Sequence, residues 1–288
     1  MRKYTQEELE KIQALSMETL KEFIRICEKY GLDYFAISGT AIGAVRHRGF
    51  IPWDDDMDVG MLREDYDRFL QVAPRELKGR YELYSASLQK RVQGFYLQMF
   101  PKGSVFMTRR NARWPLHPGI KLDIFPYDSV PAEGRRRAGL YRRLRFWNRL
   151  YIIKNTKIPQ LDGKGWKTKL AKILCFLSYY LLKIGPSVNF IVKQYEKGMR
   201  SFQGQSDYYT ILDDMNPDLW VIRKSELYPM QEGTFGTLTI KLPAKNHEML
   251  LRQYGDYMKF PPEEERGGHD IVKLVFPERQ EGMGHDVS

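Results

Sequence analysis

A chain of 288 residues with 42% apolar and 13% aromatic content can bury a core as one large domain or two small ones, which excludes a disordered or fibrous polymer. Two cysteines, Cys27 and Cys175, both in apolar helical patterns, exclude a disulfide framework and make a zinc site a poor expectation. The net charge of +10 is concentrated: residues 131–173 hold 13 Lys/Arg against Glu133 and Asp162, a local excess of +11 over a remainder of about −1.

The start, Met1 to Glu10, is polar and has no apolar core of the kind a signal peptide needs, which predicts a cytoplasmic protein. Apolar residues at helical spacing (Leu9, Ile12, Leu15, Leu20, Phe23, Ile24, Cys27) predict a helix over 7–30, stopped by Gly31. Asp33 to Ile37 is a short buried strand by its aromatic and β-branched content. Ser38-Gly39-Thr40 forms the turn after it, with Thr40 as N-cap of a short helix to about His47. A helix that begins directly after a strand offers free backbone N–H groups to an anion such as phosphate. The loop from Arg46 to Trp53 carries Arg46, His47 and Arg48, and a strand is predicted from Trp53 to Gly60. Strand alternation would set Asp54, Asp56 and Asp58 on one face and Asp55 on the other.

A helix follows over 64–72, then strands over 81–87, 95–100 and 104–109. The last two would form a hairpin around Pro101-Lys-Gly103. Gly119 to Pro126 is a further strand, with Lys121, Asp123 and Phe125 on one side. The basic segment reads as a helix over 135–153, a linker over 155–165, an apolar helix over 172–183 too short to span a bilayer, and another helix to about Met199. Strands over 208–212 and 234–242, a helix over 246–254, an ordered loop over 256–269 and a mobile tail from Glu278 complete the chain. The domain reading is a catalytic core over 1–130, a basic helical segment over 131–205, and a C-terminal α/β part over 206–288 that completes the active site.

Four aspartates in five positions repel one another unless a cation neutralises them. Asp56 and Asp58 on one strand and Asp123 on a neighbouring one are the carboxylates expected to hold Mg²⁺ or Mn²⁺, with Asp54 as an outer ligand. Asp128 is a weaker rival for the third position, because it follows Pro126. No G-x-x-x-x-G-K-[ST] or G-x-G-x-x-G motif is present, which excludes a P-loop enzyme and a Rossmann dehydrogenase by sequence.

The run from Ser38 through Asp58 resembles the signature of the LicD family, nucleotidyltransferase-fold enzymes related to fukutin and fukutin-related protein. The similarity extends to Leu122-Asp-Ile-Phe-Pro-Tyr-Asp128 and to the stretch from Tyr254 to His269. The resemblance implies an α+β fold, a nucleotidyltransferase-like mixed sheet flanked by helices, with the basic helices as an insertion. It also implies metal-dependent transfer of a phospho-alcohol from a CDP-linked donor to a sugar hydroxyl of a teichoic acid, capsule or lipopolysaccharide. In that reading Asp56, Asp58 and Asp123 are catalytic metal ligands assisted by Asp54. Ser38, Gly39 and Thr40 meet the donor phosphates, and Arg46 or His47 neutralises charge. Trp53 and His269 are the candidate substrate contacts. The family often has a second histidine where this chain has Asp270.

The basic segment is expected to attach the protein peripherally to the anionic inner face of a membrane, near a lipid-linked acceptor, with no nucleic acid as partner. Two other classes use the same sequence differently. A nucleotidyltransferase would leave the NMP on the acceptor and release pyrophosphate. A membrane or nucleic-acid adaptor would need no metal.

Overall fold

The computed structural model describes residues 2–157 and 165–278. Most of the linker expected over 155–165 and the tail beyond Glu278 lie outside the described residues.

Helix α1 (Gln6–Tyr30) starts in a capping box between Thr5 and Glu8 and ends at Gly31, which takes the left-handed conformation at φ 58°. Its buried stripe from Leu20 through Phe23 to Cys27 lies in the main core, while Ile12 packs with Phe106, Ile120 and Ile271 in a smaller one. Strand β1 (Phe35–Ala36) leads into helix α2 (Ser38–Arg46), and β2 (Met57–Leu62) runs into helix α3 (Arg63–Leu77). Next come β3 (Tyr81–Tyr84), the one-turn helix α4 (Ala86–Gln89), β4 (Leu97–Pro101), β5 (Val105–Thr108) and the long strand β6 (Leu122–Val130).

All of these strands except β5 build one mixed sheet in the order β1-β2-β6-β4-β3. Strand β6 is its axis. Its first part runs parallel to β2 and antiparallel to β4, and its last residues pair with β7 (Tyr208–Thr210), which in turn pairs with β8 (Ile222–Arg223). The fold class is thus α+β with a mixed sheet, as expected.

Several strand expectations change: the strand expected over 81–87 ends at Tyr84 before α4, and the one expected to stop at Pro126 runs on to Val130. The chain from Asp54 to Asp56 is not yet strand, because β2 starts only at Met57; alternation therefore does not govern the first three aspartates. The expected 95–109 hairpin does not form. β4 is committed to β3 and β6, while β5 pairs with β11 (Ile271–Val275), a strand absent from the sequence reading. The stretch expected as one strand over 234–242 is a hairpin of β9 (Gln231–Phe235) and β10 (Leu238–Leu242), turned at Gly236 with φ 60°.

Helix α5 (Arg135–Asn155) buries Leu140, Tyr141, Leu144 and Tyr151 against helix α7 (Val188–Met199) in a second core. Helix α6 (Trp166–Leu181) lies beside α5 and buries none of its own residues. The short helix α8 (Lys224–Leu227) and helix α9 (Asn246–Tyr254) complete the fold. Among the described residues, no helix is long and apolar enough to cross a membrane.

Candidate active site

Parallel pairing places Asp58 opposite Asp123, and antiparallel pairing places Gln98 on the other side of Asp123. Neighbours in register share a sheet face, so three polar side chains form one row across β2, β6 and β4. The row floors a cleft of about 250 Å³ that is also lined by Ser38, Asp55, Asp56, Lys121 and His269.

Helix α2 brings its first turn to this row. Its N-cap is Ile37, with no side-chain cap, so the helix opens at Ser38 rather than after Thr40 as expected. Ser38 itself is held at φ 50°, a backbone conformation that a non-glycine residue adopts only where its surroundings enforce it. Thr40 has a different task from the one expected. Its hydroxyl is buried and accepts the backbone N–H of Asp58 at 2.8 Å, which ties the helix to the start of β2 and holds Thr40 away from the cleft. Gly39 makes room for Asp54: a Cβ there would lie 2.5 Å from Asp54 Oδ2.

The carboxylates are crowded. Burial, then the charge of Asp56, pushes Asp54 up to about 9. Asp58 is raised well above the carboxylate range by burial and by the charges of Asp56 and Asp123. Asp123 is raised by burial and held back by Lys121, whose ammonium contacts Asp123 Oδ2. The other oxygen, Asp123 Oδ1, is buried without a hydrogen-bond partner, as is Gln98 Oε1 beside it. Orphaned buried oxygens among mutually repelling carboxylates are the donor set that a hard divalent cation takes. The residues present therefore fit a divalent cation.

Asp55, which alternation sets apart, is in the site. It is buried, its Oδ1 lies 2.9 Å from His269 Nδ1, and its Oδ2 accepts the His269 backbone N–H at 2.9 Å. Asp55, Asp56 and His269 can each bring a ligand atom within 4.8 Å of the others. The hydrogen bond to Asp55 raises the His269 pKa. Gly268 packs closely here too, since a Cβ would meet Asp55 Oδ2 at 2.5 Å and would overlap the Tyr4 hydroxyl.

Arg46, His47 and Trp53 do not line the cleft. Arg46 Nη1 donates to the carbonyl of Tyr257, and its guanidinium sits 4.8 Å from the Phe260 ring centre. His47 stacks on Phe260, and Trp53 meets Phe260 edge-on with Arg266 over its ring. Arg46 and His47, expected to face the donor, and Trp53, expected to face the substrate, thus lie outside the residues that line this cleft. These residues tie the 46–53 loop to the 257–266 loop. The cations that do line the cleft are Lys121 and Arg110. Asp128 is also removed from the metal set: Arg63 Nε and Nη2 donate to its two oxygens at 2.7 and 2.8 Å.

Gln98, Arg110 and Tyr254 escaped the sequence reading. Tyr254 hydrogen-bonds Ser38, and burial together with the charge of Asp58 pushes its phenol up to about 12. Gln98 carried a usable signal, a single amide between Leu97 and Met99 in an apolar strand, because a buried polar group there needs a partner or a ligand. Tyr254 opens the third family-like stretch, although its role was not read from it, and Arg110 carried no signal.

Comparison with known proteins places this geometry in context. Residues 31–154 match the model described as LicD/FKTN/FKRP, nucleotidyltransferase domain. The chain is 30% identical over 275 residues to the lipopolysaccharide cholinephosphotransferase LicD of Haemophilus influenzae, covering 92% of this chain and 96% of that one. It is 29% identical over 103 residues to the mouse ribitol 5-phosphate transferase FKRP, covering 35% of this chain and 20% of that protein. With a cleft assembled from the same three motifs and full-length similarity to such a relative, the chain belongs to the LicD family.

Proposed function

We propose that the protein transfers a phospho-alcohol, phosphocholine or an alditol phosphate, from a CDP-linked donor to a sugar hydroxyl of a lipid-linked or envelope glycan. The observation that carries this is the row of Asp58, Asp123 and Gln98 beside the uncapped start of α2, with Asp123 Oδ1 left without a partner. Relatives named as a lipopolysaccharide cholinephosphotransferase and a ribitol 5-phosphate transferase support the class of reaction.

Asp56, Asp58 and Asp123 would hold Mg²⁺ or Mn²⁺, with Asp54 assisting. When bound, the cation neutralises the donor diphosphate and acidifies the acceptor hydroxyl. The first N–H groups of α2, at Ser38 and Gly39, receive donor phosphate oxygens, and Lys121 adds a fixed positive charge beside them. His269, fixed through Nδ1 by Asp55, offers Nε2 to the acceptor hydroxyl. The acceptor oxygen then bonds to the phosphorus that bears the alcohol. The bond from that phosphorus to the bridging oxygen breaks, and CMP leaves with the electron pair.

The test is incubation with a panel of CDP-alcohols and Mg²⁺, following CMP release. CMP formed only with the right donor and acceptor supports the reading. Pyrophosphate released from a nucleoside triphosphate would instead assign nucleotidyl transfer, and a folded Asp58→Ala variant with wild-type turnover would remove the site.

A further inference from the structure

Helix α6 is turned inside out. Trp166, Leu170, Ile173, Leu174, Leu177 and Leu181 fall at the four- and three-residue steps that put side chains on one helix face, and all six are exposed. Trp166 is 71% exposed, Leu181 72%, and Ile184, which continues the stripe past the helix end, 92%. The half-buried positions form the opposite face and are mainly small or polar: Ala171, Cys175, Ser178 and Tyr179. A helix whose partner is its own protein core buries the larger apolar face; α6 does the reverse.

The helix is nevertheless docked in a defined orientation. Lys154 of α5 donates to the carbonyls of Leu182 and Pro186, which ties down its far end. At 100° per residue, Lys167 and Lys169 flank the apolar stripe on its two sides, where long side chains can reach polar headgroups while the stripe is buried. Alongside, α5 keeps Arg142, Arg145 and Arg149 exposed, with Phe146 also exposed, while Leu140, Tyr141, Leu144 and Tyr151 are buried in the second core. Sixteen residues give about 24 Å of helix, short of the roughly 30 Å of a bilayer core. An exposed apolar stripe bordered by lysines, next to an arginine-rich helix, and too short to span, has the chemistry of a helix lying in an interface.

We propose that α6 lies in the surface of an anionic membrane, its Trp166–Ile184 stripe among the acyl chains and its flanking Lys and the α5 arginines on the headgroups. This rests on the packing of α6 alone and stands whatever the transferred group proves to be.

Flotation of the full chain with phosphatidylcholine vesicles, with and without phosphatidylglycerol, tests it at low and high salt. Wild type is expected to float with the anionic vesicles and less so as salt rises. Leu174→Glu/Leu177→Glu, at positions already in water, is expected to reduce the vesicle-bound fraction by about tenfold or more while Asp58→Asn floats as wild type. Failure of wild type to float, or equal flotation of the double variant, would overturn the proposal. So would light scattering that shows a dimer split by the double variant, since the stripe would then belong to a second copy of this chain.

Discussion

Asp58 and Asp123 lie directly opposite each other on adjacent parallel strands, and both are raised above the usual carboxylate range, chiefly by burial. Without a cation this arrangement costs stability, because two buried negative charges share one sheet face. Asp58→Asn removes one charge and keeps the shape. The variant is expected to be more stable than the metal-free wild type by about 1–2 kcal/mol, a melting shift of roughly 2–4 °C for a chain of this class. Added Mg²⁺ should raise the wild-type melting temperature and leave the variant nearly unmoved. Scanning calorimetry with and without the ion checks both expectations, and a destabilised variant would argue against the crowding.

Gly39 tests the same site by shape. A methyl group at this position would meet Asp54 Oδ2 at 2.5 Å, and the helix start cannot recede because Thr40 is bonded to the Asp58 N–H. Gly39→Ala should displace the Asp54 carboxylate and lower turnover by about 10–100-fold, the scale expected when a reacting geometry shifts by an ångström. The expected signature is lost kcat with an unchanged melting temperature. Full activity in the variant would show that Asp54 stands apart from the reaction.

Much of this site was legible in the residues. Helix α1 with its Gly31 stop, Asp123 within a strand and the acidic run itself all follow from local pattern. The misplacement of Asp55 comes from counting alternation from Trp53, whereas β2 begins at Met57. What holds the first aspartates out of the strand comes from elsewhere in the chain: Gln13 Nε2 donates to the Asp54 carbonyl at 2.9 Å, and Tyr4 donates to that of Trp53 at 3.2 Å. The pairing of β5 with β11 is equally non-local, and so is the choice of which face of α6 meets α5. Periodicity reveals that a stripe exists; it does not say what the stripe touches.

Asp213, at the cleft edge, gives the stability a pH dependence of unusual sign. Burial pushes it up to about 6 from the ordinary 3.8, against hydrogen bonds from the Phe95 N–H and the Tyr195 hydroxyl. Between those two values the folded chain binds more of this proton than the unfolded chain. Its contribution is therefore fully present at low pH and is lost as pH rises through about 6. The gap corresponds to about 3 kcal/mol. Asp213→Asn removes the titration, so wild type should lose about 2 kcal/mol of this relative to the variant between pH 4 and pH 7. Urea unfolding of both proteins at the two pH values measures it, and parallel pH profiles would refute the assignment.

Asp128 and Arg63 form a buried pair on the far part of β6, and their role is architectural. Asp128 is 1% exposed, and Arg63 meets both its oxygens while also reaching Asp67. Removing one partner leaves an uncompensated buried charge, whereas removing both leaves an apolar pocket. Arg63→Met is thus expected to destabilise the chain by about 3–5 kcal/mol, and Arg63→Met/Asp128→Leu to recover most of that loss. The double variant should keep the Mg²⁺-dependent melting shift expected of wild type, because the carboxylates proposed to hold the metal, Asp58 and Asp123, sit in the row across β2 and β6 and not beside Arg63. Loss of that shift in a folded double variant would return Asp128 to the list of ligands and break the distinction between a carboxylate held by arginine and carboxylates left open for a cation.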